Sequence, residues 1–160
     1  PEDFKDWVDA QFDPSVTWED VAWVREHWKG KLVVKGVLDP EDARQAVDAG
    51  VDGIVVSNHG GRQLDAVPST AAALPHVADA VGDQTTVLAD GGIRNGLDVV
   101  KMIALGAQAV IIGRAWAWPV AAAGESGVSR MLDTFRSDID VALALTGSNS
   151  IPDLDSSSLA

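Results

Sequence analysis

The sequence predicts an α/β fold: four consecutive strand–helix units forming half of a (β/α)8 barrel. Three observations carry that prediction. Four short hydrophobic runs recur along the chain: Leu32-Val33-Val34, Gly53-Ile54-Val55-Val56, Val87-Leu88-Ala89 and Ala109-Val110-Ile111-Ile112. Each run ends in polar or glycine residues of catalytic type: Lys35-Gly36, Ser57-Asn58-His59-Gly60-Gly61-Arg62, Asp90-Gly91-Gly92 and Gly113-Arg114. Helix-forming segments separate the runs, which implies parallel strands joined by right-handed crossovers. In such a barrel the active site forms where the strands end, and a phosphate site follows the last two. A whole barrel usually takes about 250 residues. This chain has 160 and begins at Pro1, so we expect a piece of a longer protein. The alternative is a complete small α/β domain with an open sheet.

The elements follow in order. Segment 1–16, with two prolines and several acids, is the least regular part and reads as a linker. Thr17 can cap a helix amide, with Asp20 three residues on; Val21, Val24 and Trp28 follow at helical spacing, and Gly30 stops the helix. After the first strand, Asp39 suits the N-cap, Pro40 the first helical position, and Glu41 and Asp42 the positive helix end. Ala43, Ala46 and Val47 form the stripe to be buried, and Gly50 suits the C-terminal cap. The second crossover spans 68–82, with Pro75 expected to split it into two short helices. In the third, Asn95 caps, Asp98 lies three residues on, and Val99, Val100, Met102 and Ile103 face inward until Gly106. The fourth strand leads into a helix expected over 127–146. The tail, 148–160, is polar, contains Pro152, and is expected to wrap the surface or fray.

Composition removes several classes of function. Hydrophobic residues make up 46% of the chain, enough to bury a core. The net charge is −12 with no basic run, which argues against nucleic acid, whose phosphates demand clustered Lys and Arg. The chain has no cysteine, so disulfides, iron–sulfur clusters and thiolate zinc are excluded for it. No run approaches the ~18 apolar residues of a membrane span, and no signal peptide is visible. We expect a cytoplasmic protein, with peripheral attachment to the inner face of the cell membrane as an option. His27 and His76 read as non-ligands. The six tryptophans read as packing; Trp116 and Trp118 could line an interface, but core is the expected place.

The chemistry concentrates after the strands. His59, ending a buried strand, is poised for acid–base work near neutral pH. The glycines beside it permit close approach of a flat ligand. Arg62, three residues on, presents a planar fork matching a carboxylate. A packed histidine with a surface arginine is the bland alternative; the glycines and the strand-end position favour the functional reading. Lys35 ends the preceding strand and could form a Schiff base, bind a phosphate or stabilise an anionic cofactor; the alternative is a lysine escaping into solvent. Asp90-Gly91-Gly92-Ile93-Arg94 leads straight into a helix start, and Gly113-Arg114 follows the next strand. Free amides, helix dipoles and two arginines make an anion cradle.

Ser57-Asn58-His59-Gly60-Gly61-Arg62-Gln63-Leu64-Asp65, with the segments around Lys35, Asp39-Pro40-Glu41-Asp42 and 88–114, closely resembles the FMN-dependent 2-hydroxy-acid oxidase/dehydrogenase family. The resemblance runs over nearly the whole chain, and the stretch beginning at Asp90 looks most like bacterial respiratory L-lactate dehydrogenases. It implies the second half of a TIM (β/α)8 barrel, strands five to eight, over 1–160. It implies oxidation of an (S)-2-hydroxy acid, with L-lactate first and mandelate dehydrogenase, glycolate oxidase or lactate monooxygenase chemistry as alternatives. By resemblance, His59 is the base, Arg62 pairs with the substrate carboxylate, and Lys35 and Ser57 lie by the flavin. Asp90, Gly91, Gly92, Ile93, Arg94, Gly113 and Arg114 hold the ribityl chain and phosphate of FMN. The family's substrate-holding tyrosines and the aspartate that orients the histidine are absent from this chain, which contains no tyrosine. They are expected from an N-terminal half of the same barrel, in an assembly expected to be homo-oligomeric. The rivals are another flavin or phosphate-binding barrel, such as an FMN-dependent isomerase, and a non-catalytic half barrel acting as an assembly or binding module.

Overall fold

A computed structural model describes residues 2–159. Four strands, β1 (Val33–Val37), β2 (Gly53–Val56), β3 (Thr86–Asp90) and β4 (Ala109–Ile111), form one sheet. Every pairing is parallel, and the spatial order β1-β2-β3-β4 is the order in the chain. Consecutive parallel neighbours joined by helices are the repeating unit of a barrel wall. The helices are α1 (Glu2–Asp9), α2 (Trp18–His27), α3 (Pro40–Asp48), α4 (Thr70–Val81), α5 (Gly96–Ala104) and α6 (Arg114–Thr146).

The caps form where the residue types place them. Thr17 and Asp20 make a reciprocal capping box at α2. Asp39 accepts from the Glu41 amide with Pro40 at the first turn of α3. Asn95 Oδ1 accepts from the Asp98 amide at 2.9 Å. Gly50 and Gly106, at φ +82° and +108°, occupy left-handed positions just past α3 and α5, where a side chain would be strained.

The two faces of the sheet differ sharply. Ile54, Val56, Val87 and Ala89 are fully buried beneath the helices, together with Leu74, Val77 and Val81 of α4. On the opposite face the register aligns Lys35 with Val55 and Asp90 with Ile111. That face is left partly open: Val33 and Ile111 remain 48% and 42% exposed. The outer strands β1 and β4 each pair on one side only.

Several expectations are corrected. Pro75 does not split its crossover: α4 is one helix with Pro75 inside it. Burying Leu74, Val77 and Val81 contributes about 1.5–3 kcal/mol each, and the three together exceed the ~3 kcal/mol cost of an interior proline. Segment 1–16 is not uniformly irregular, because 2–9 is helical and Phe4 stacks on Trp7 one turn away, centroids 6.2 Å apart. Lys35 lies within β1 rather than after it; Gly36, at φ +100°, forms a bulge where the register shifts between Lys35 and Val37. The last helix starts at Arg114, well before 127, and breaks at Ala123 and Gly124, where Gly124 has φ +56° and ψ −140°. A Cβ on Gly127 would stand 2.2 Å from the Pro119 carbonyl oxygen, so glycine lets the second piece fold against the first.

Five of the six tryptophans are not core: Trp7, Trp23, Trp28, Trp116 and Trp118 are 46–69% exposed, whereas Trp18 packs, partly buried, against the core. The tail wraps rather than frays: Leu154 is buried with Val100, Ala104 and Ala142 in a second small cluster.

Candidate functional site

Parallel strands bring all their C-terminal ends to one rim. There the sheet opens on a cleft of about 870 Å³. Lys35, His59, Arg62, Asp90, Gly91, Gly92, Ile93, Arg94, Gly113 and Arg114 all line it. Ser57 sits directly beneath, only 2% exposed. Of the twelve Lys and Arg residues in the chain, Lys35, Arg62, Arg94 and Arg114 line this cleft, against one carboxylate, Asp90. In a chain of net charge −12, that concentrates positive potential where an anion would enter.

A polar cluster joins three strand ends. Lys35 Nζ lies 3.0 Å from Asp90 Oδ2 and donates to Ser57 Oγ at 3.1 Å. Ser57 Oγ donates to Asp90 Oδ1 and accepts from the His59 amide at 2.9 Å. His59 opens a one-turn helix, His59–Gly61, at φ +54°, a conformation unusual for a residue with a side chain. Asn58 stabilises that turn by accepting the Gly60 amide on Oδ1 at 2.9 Å, while its own amide donates to Thr70 Oγ1 at 3.3 Å. Among the described residues the His59 ring and the Arg62 and Arg94 guanidinium groups have no hydrogen-bond or ion-pair partner, so each is free to engage a ligand.

The anion cradle has two walls. Gly91 and Gly92 stand at φ +94° and +82° just before α5. A Cβ on Gly91 would lie 2.7 Å from Asn58 Oδ1, whereas one on Gly92 or Gly113 would project into open space. Gly113 provides no side-chain cap to α6, so the first amides of that helix point outward unsatisfied. Arg114 lies over them and donates from Nη2 to the Gly60 carbonyl oxygen at 3.0 Å. A bare backbone floor, outward amides and flanking arginines suit a flat ligand with a terminal anion.

Sequence reasoning missed five lining residues. Gly36 and Gly60 lay inside the motifs it singled out without being assigned to the site. Ile111, Ala115 and Trp118 were not singled out for it, and Trp118 was expected in the core. Asn58 and Thr70, which support the His59 turn, carry no chemistry-bearing signal of their own; only their hydrogen bonds reveal them. The group holding the deepest carboxylate shift lies elsewhere. Asp52, at the opposite end of β2, is lowered to about 2 by a hydrogen bond from Lys31 and one from the Leu32 amide, helped by the nearby Arg25 charge.

Comparison with known proteins bears on all of this. A family model described as FMN-dependent dehydrogenase matches residues 1–160. An L-lactate dehydrogenase of Caulobacter sp. (strain K31) is 60% identical over 159 residues, 99% of this chain and 42% of that protein. One from Pectobacterium atrosepticum is 60% identical over 158 residues, 99% of this chain and 41% of that protein. The chain therefore spans about two fifths of the length of these relatives. Among solved structures, a mandelate oxidase superposes with a TM-score of 0.83 at 48% identity, covering 89% of this chain and 42% of that one. A mandelate oxidase with (S)-4-hydroxymandelic acid gives 0.81 at 49% identity, covering 86% and 39%.

Proposed function

The chain belongs to the FMN-dependent dehydrogenase family, and from that premise we propose that it carries the base, the carboxylate clamp and the phosphate cradle of an FMN-dependent (S)-2-hydroxy-acid dehydrogenase. The observation that carries this reading is the convergence of His59, Arg62, Lys35 and the glycine–arginine cradle on one cleft. L-lactate is the proposed substrate, supported by relatives of that activity at 60% identity.

The residues fit FMN. Its terminal phosphate suits the open amides at Gly113 and Arg114, with Arg94 across the cleft. A flat ring system suits the side-chain-free floor at Gly91 and Gly92. FMN, when bound, supplies the two-electron acceptor. Arg62 holds the substrate carboxylate in two parallel charge-assisted hydrogen bonds. His59, freed of internal partners, takes a proton from the substrate. Lys35 would hold its positive charge in the cleft, where it would favour the electron-rich reduced form of FMN. Asp90 balances that charge from the side away from solvent.

The open sheet face supports a further part of the proposal. Val33 and Ile111 sit half-exposed on the face carrying Lys35 and Asp90, and β1 and β4 have free edges. Free edges invite pairing. We assign this chain, 1–160 with its 148–160 tail on the surface, to the C-terminal half of a closed barrel. The N-terminal half pairs with both edges and supplies the remaining substrate groups, and the barrel assembles as a homo-oligomer. Among the described residues no helix is long and apolar enough to cross a membrane; the proposed place is the cytoplasm, with peripheral attachment at the inner membrane face.

The test is His59→Gln in the complete enzyme. FMN should remain bound, while reduction of the flavin by anaerobic L-lactate should slow by about 10²–10⁴-fold. Bleaching at the parental rate would remove His59 from the reaction and the reading with it.

A further inference from the structure

Ser57 makes more connections than any other side chain around the cleft, and it makes them from a buried position. Its side chain is 2% exposed. Its hydroxyl accepts from the His59 amide at 2.9 Å, accepts from Lys35 Nζ at 3.1 Å and donates to Asp90 Oδ1. A serine hydroxyl has one proton to give and two lone pairs to receive. All three are taken by the protein, so nothing remains on Ser57 to hydrogen-bond a bound molecule.

We propose that Ser57 is a positioning residue: one hydroxyl fixes both the presentation of the His59 base and the place of the Lys35 charge. The inference rests on the function proposed above and reassigns Ser57 within it, from a flavin contact to an organiser of two other side chains. The His59 backbone supports this. Its φ of +54° is one that a side-chain-bearing residue adopts only under constraint. The Gly61 amide donates to the Asn58 carbonyl, the Gly60 amide to Asn58 Oδ1, the Arg62 amide to the His59 carbonyl and Arg114 Nη2 to the Gly60 carbonyl, but the His59 amide itself is held by Ser57 Oγ. Lys35 reaches across from the neighbouring strand to the same oxygen, and its other partner, Asp90, is tied to Ser57 as well. Removing the hydroxyl therefore frees the His59 amide, loosening the base within its turn, and leaves the ammonium tethered by Asp90 alone.

The experiment uses the complete FMN-loaded enzyme with Ser57→Ala, and Ser57→Cys as a packing control. The thiol fills the site but is a weak hydrogen-bonding group. Three quantities are read: the anaerobic rate of flavin reduction by L-lactate, KM, and the flavin midpoint potential. In both variants reduction should fall about 10–100-fold, the scale expected when a reacting group is misplaced by about 1 Å. KM should stay within a few-fold, because Arg62 is untouched. The midpoint potential should drop, because the Lys35 charge no longer sits where it favours the reduced flavin. A folding defect alone would not move the potential of the flavin that remains bound. Parental rate and potential in Ser57→Cys would overturn the proposal, and so would loss of FMN binding in both variants, which would make Ser57 a cofactor contact. His59→Gln run in parallel separates the two ideas. If it abolishes reduction while the Ser57 variants are silent, only the positioning role fails; if it too is silent, the functional reading fails.

Discussion

Arg114 is bound to Gly60 across 54 positions of sequence: its Nη2 donates to the Gly60 carbonyl oxygen at 3.0 Å. The same nitrogen would stand 2.8 Å from a Cβ at Gly60, so a side chain there would push the guanidinium aside. One guanidinium at the start of α6 thus joins the anion cradle to the turn that carries His59. Under the proposed function, that bond couples phosphate binding to the placement of the base.

That connection predicts a two-part defect in Arg114→Ala. The FMN dissociation constant should rise about tenfold or more, the scale of one lost charged hydrogen bond, and the enzyme that remains loaded should also reduce its flavin more slowly. Arg114→Lys should recover part of the affinity through its charge but not the rate, because an ammonium lacks the planar fork. Fluorescence titration of FMN and stopped-flow reduction read the two parts separately. An Arg114→Ala enzyme that binds FMN weakly but reduces it at the parental rate would disconnect cradle from turn.

Arg62 has no protein partner among the described residues, so its removal should leave stability alone and act on substrate. Arg62→Met should raise KM for L-lactate about 10–100-fold, corresponding to ~1.5–3 kcal/mol for a charged hydrogen-bonded contact. FMN content should not change. Steady-state kinetics with an absorbance scan for bound flavin checks both statements.

Gly91 tolerates no side chain on two counts. Its φ is +94°, and an added Cβ would lie 2.7 Å from Asn58 Oδ1 and 3.0 Å from Thr70 Oγ1. Gly91→Ala should cost about 1–3 kcal/mol through backbone strain, and should disturb the Asn58 contact that supports the His59 turn. We expect a lower unfolding temperature together with weaker FMN binding. Gly92→Ala, whose Cβ meets no atom within 4 Å, should retain the strain penalty at φ +82° but spare Asn58.

At the far end of the sheet, Asp52 ties three elements together. It accepts from Lys31 Nζ at 2.8 Å, from the Leu32 amide at 2.9 Å and from Arg25 Nη1 at 2.9 Å. These hold its pKa at about 2, down from 3.8. A carboxylate depressed in the folded state contributes stability in full above its unfolded value and loses it as pH falls toward the folded one. Asp52→Asn should therefore be less stable than the parent at pH 6, and the gap should close between about pH 4 and pH 2. Urea unfolding across that range tests it; a gap independent of pH would show that Asp52 acts by packing alone.

The strands, their parallel order and the chemical character of their ends were legible in the amino-acid sequence alone. Those features are local: hydrophobic runs of three or four residues, caps at Thr17, Asp39 and Asn95, and glycines whose backbone positions no other residue takes without strain. It also named ten residues that line the cleft, because in a parallel sheet every strand end faces the same way. What it could not give depends on contacts between distant segments. Pro75 stays inside a helix because buried Leu74, Val77 and Val81 outweigh one lost hydrogen bond. Five of six tryptophans are exposed because hydrophobicity predicts a wish for burial and not the presence of a neighbour to provide it. The bond from Arg114 to Gly60, and the bonds of Ser57 to Lys35 and Asp90, join atoms from different parts of the chain. Only the folded sheet brings them within hydrogen-bond distance, and no pattern of spacing along the chain encodes such a meeting.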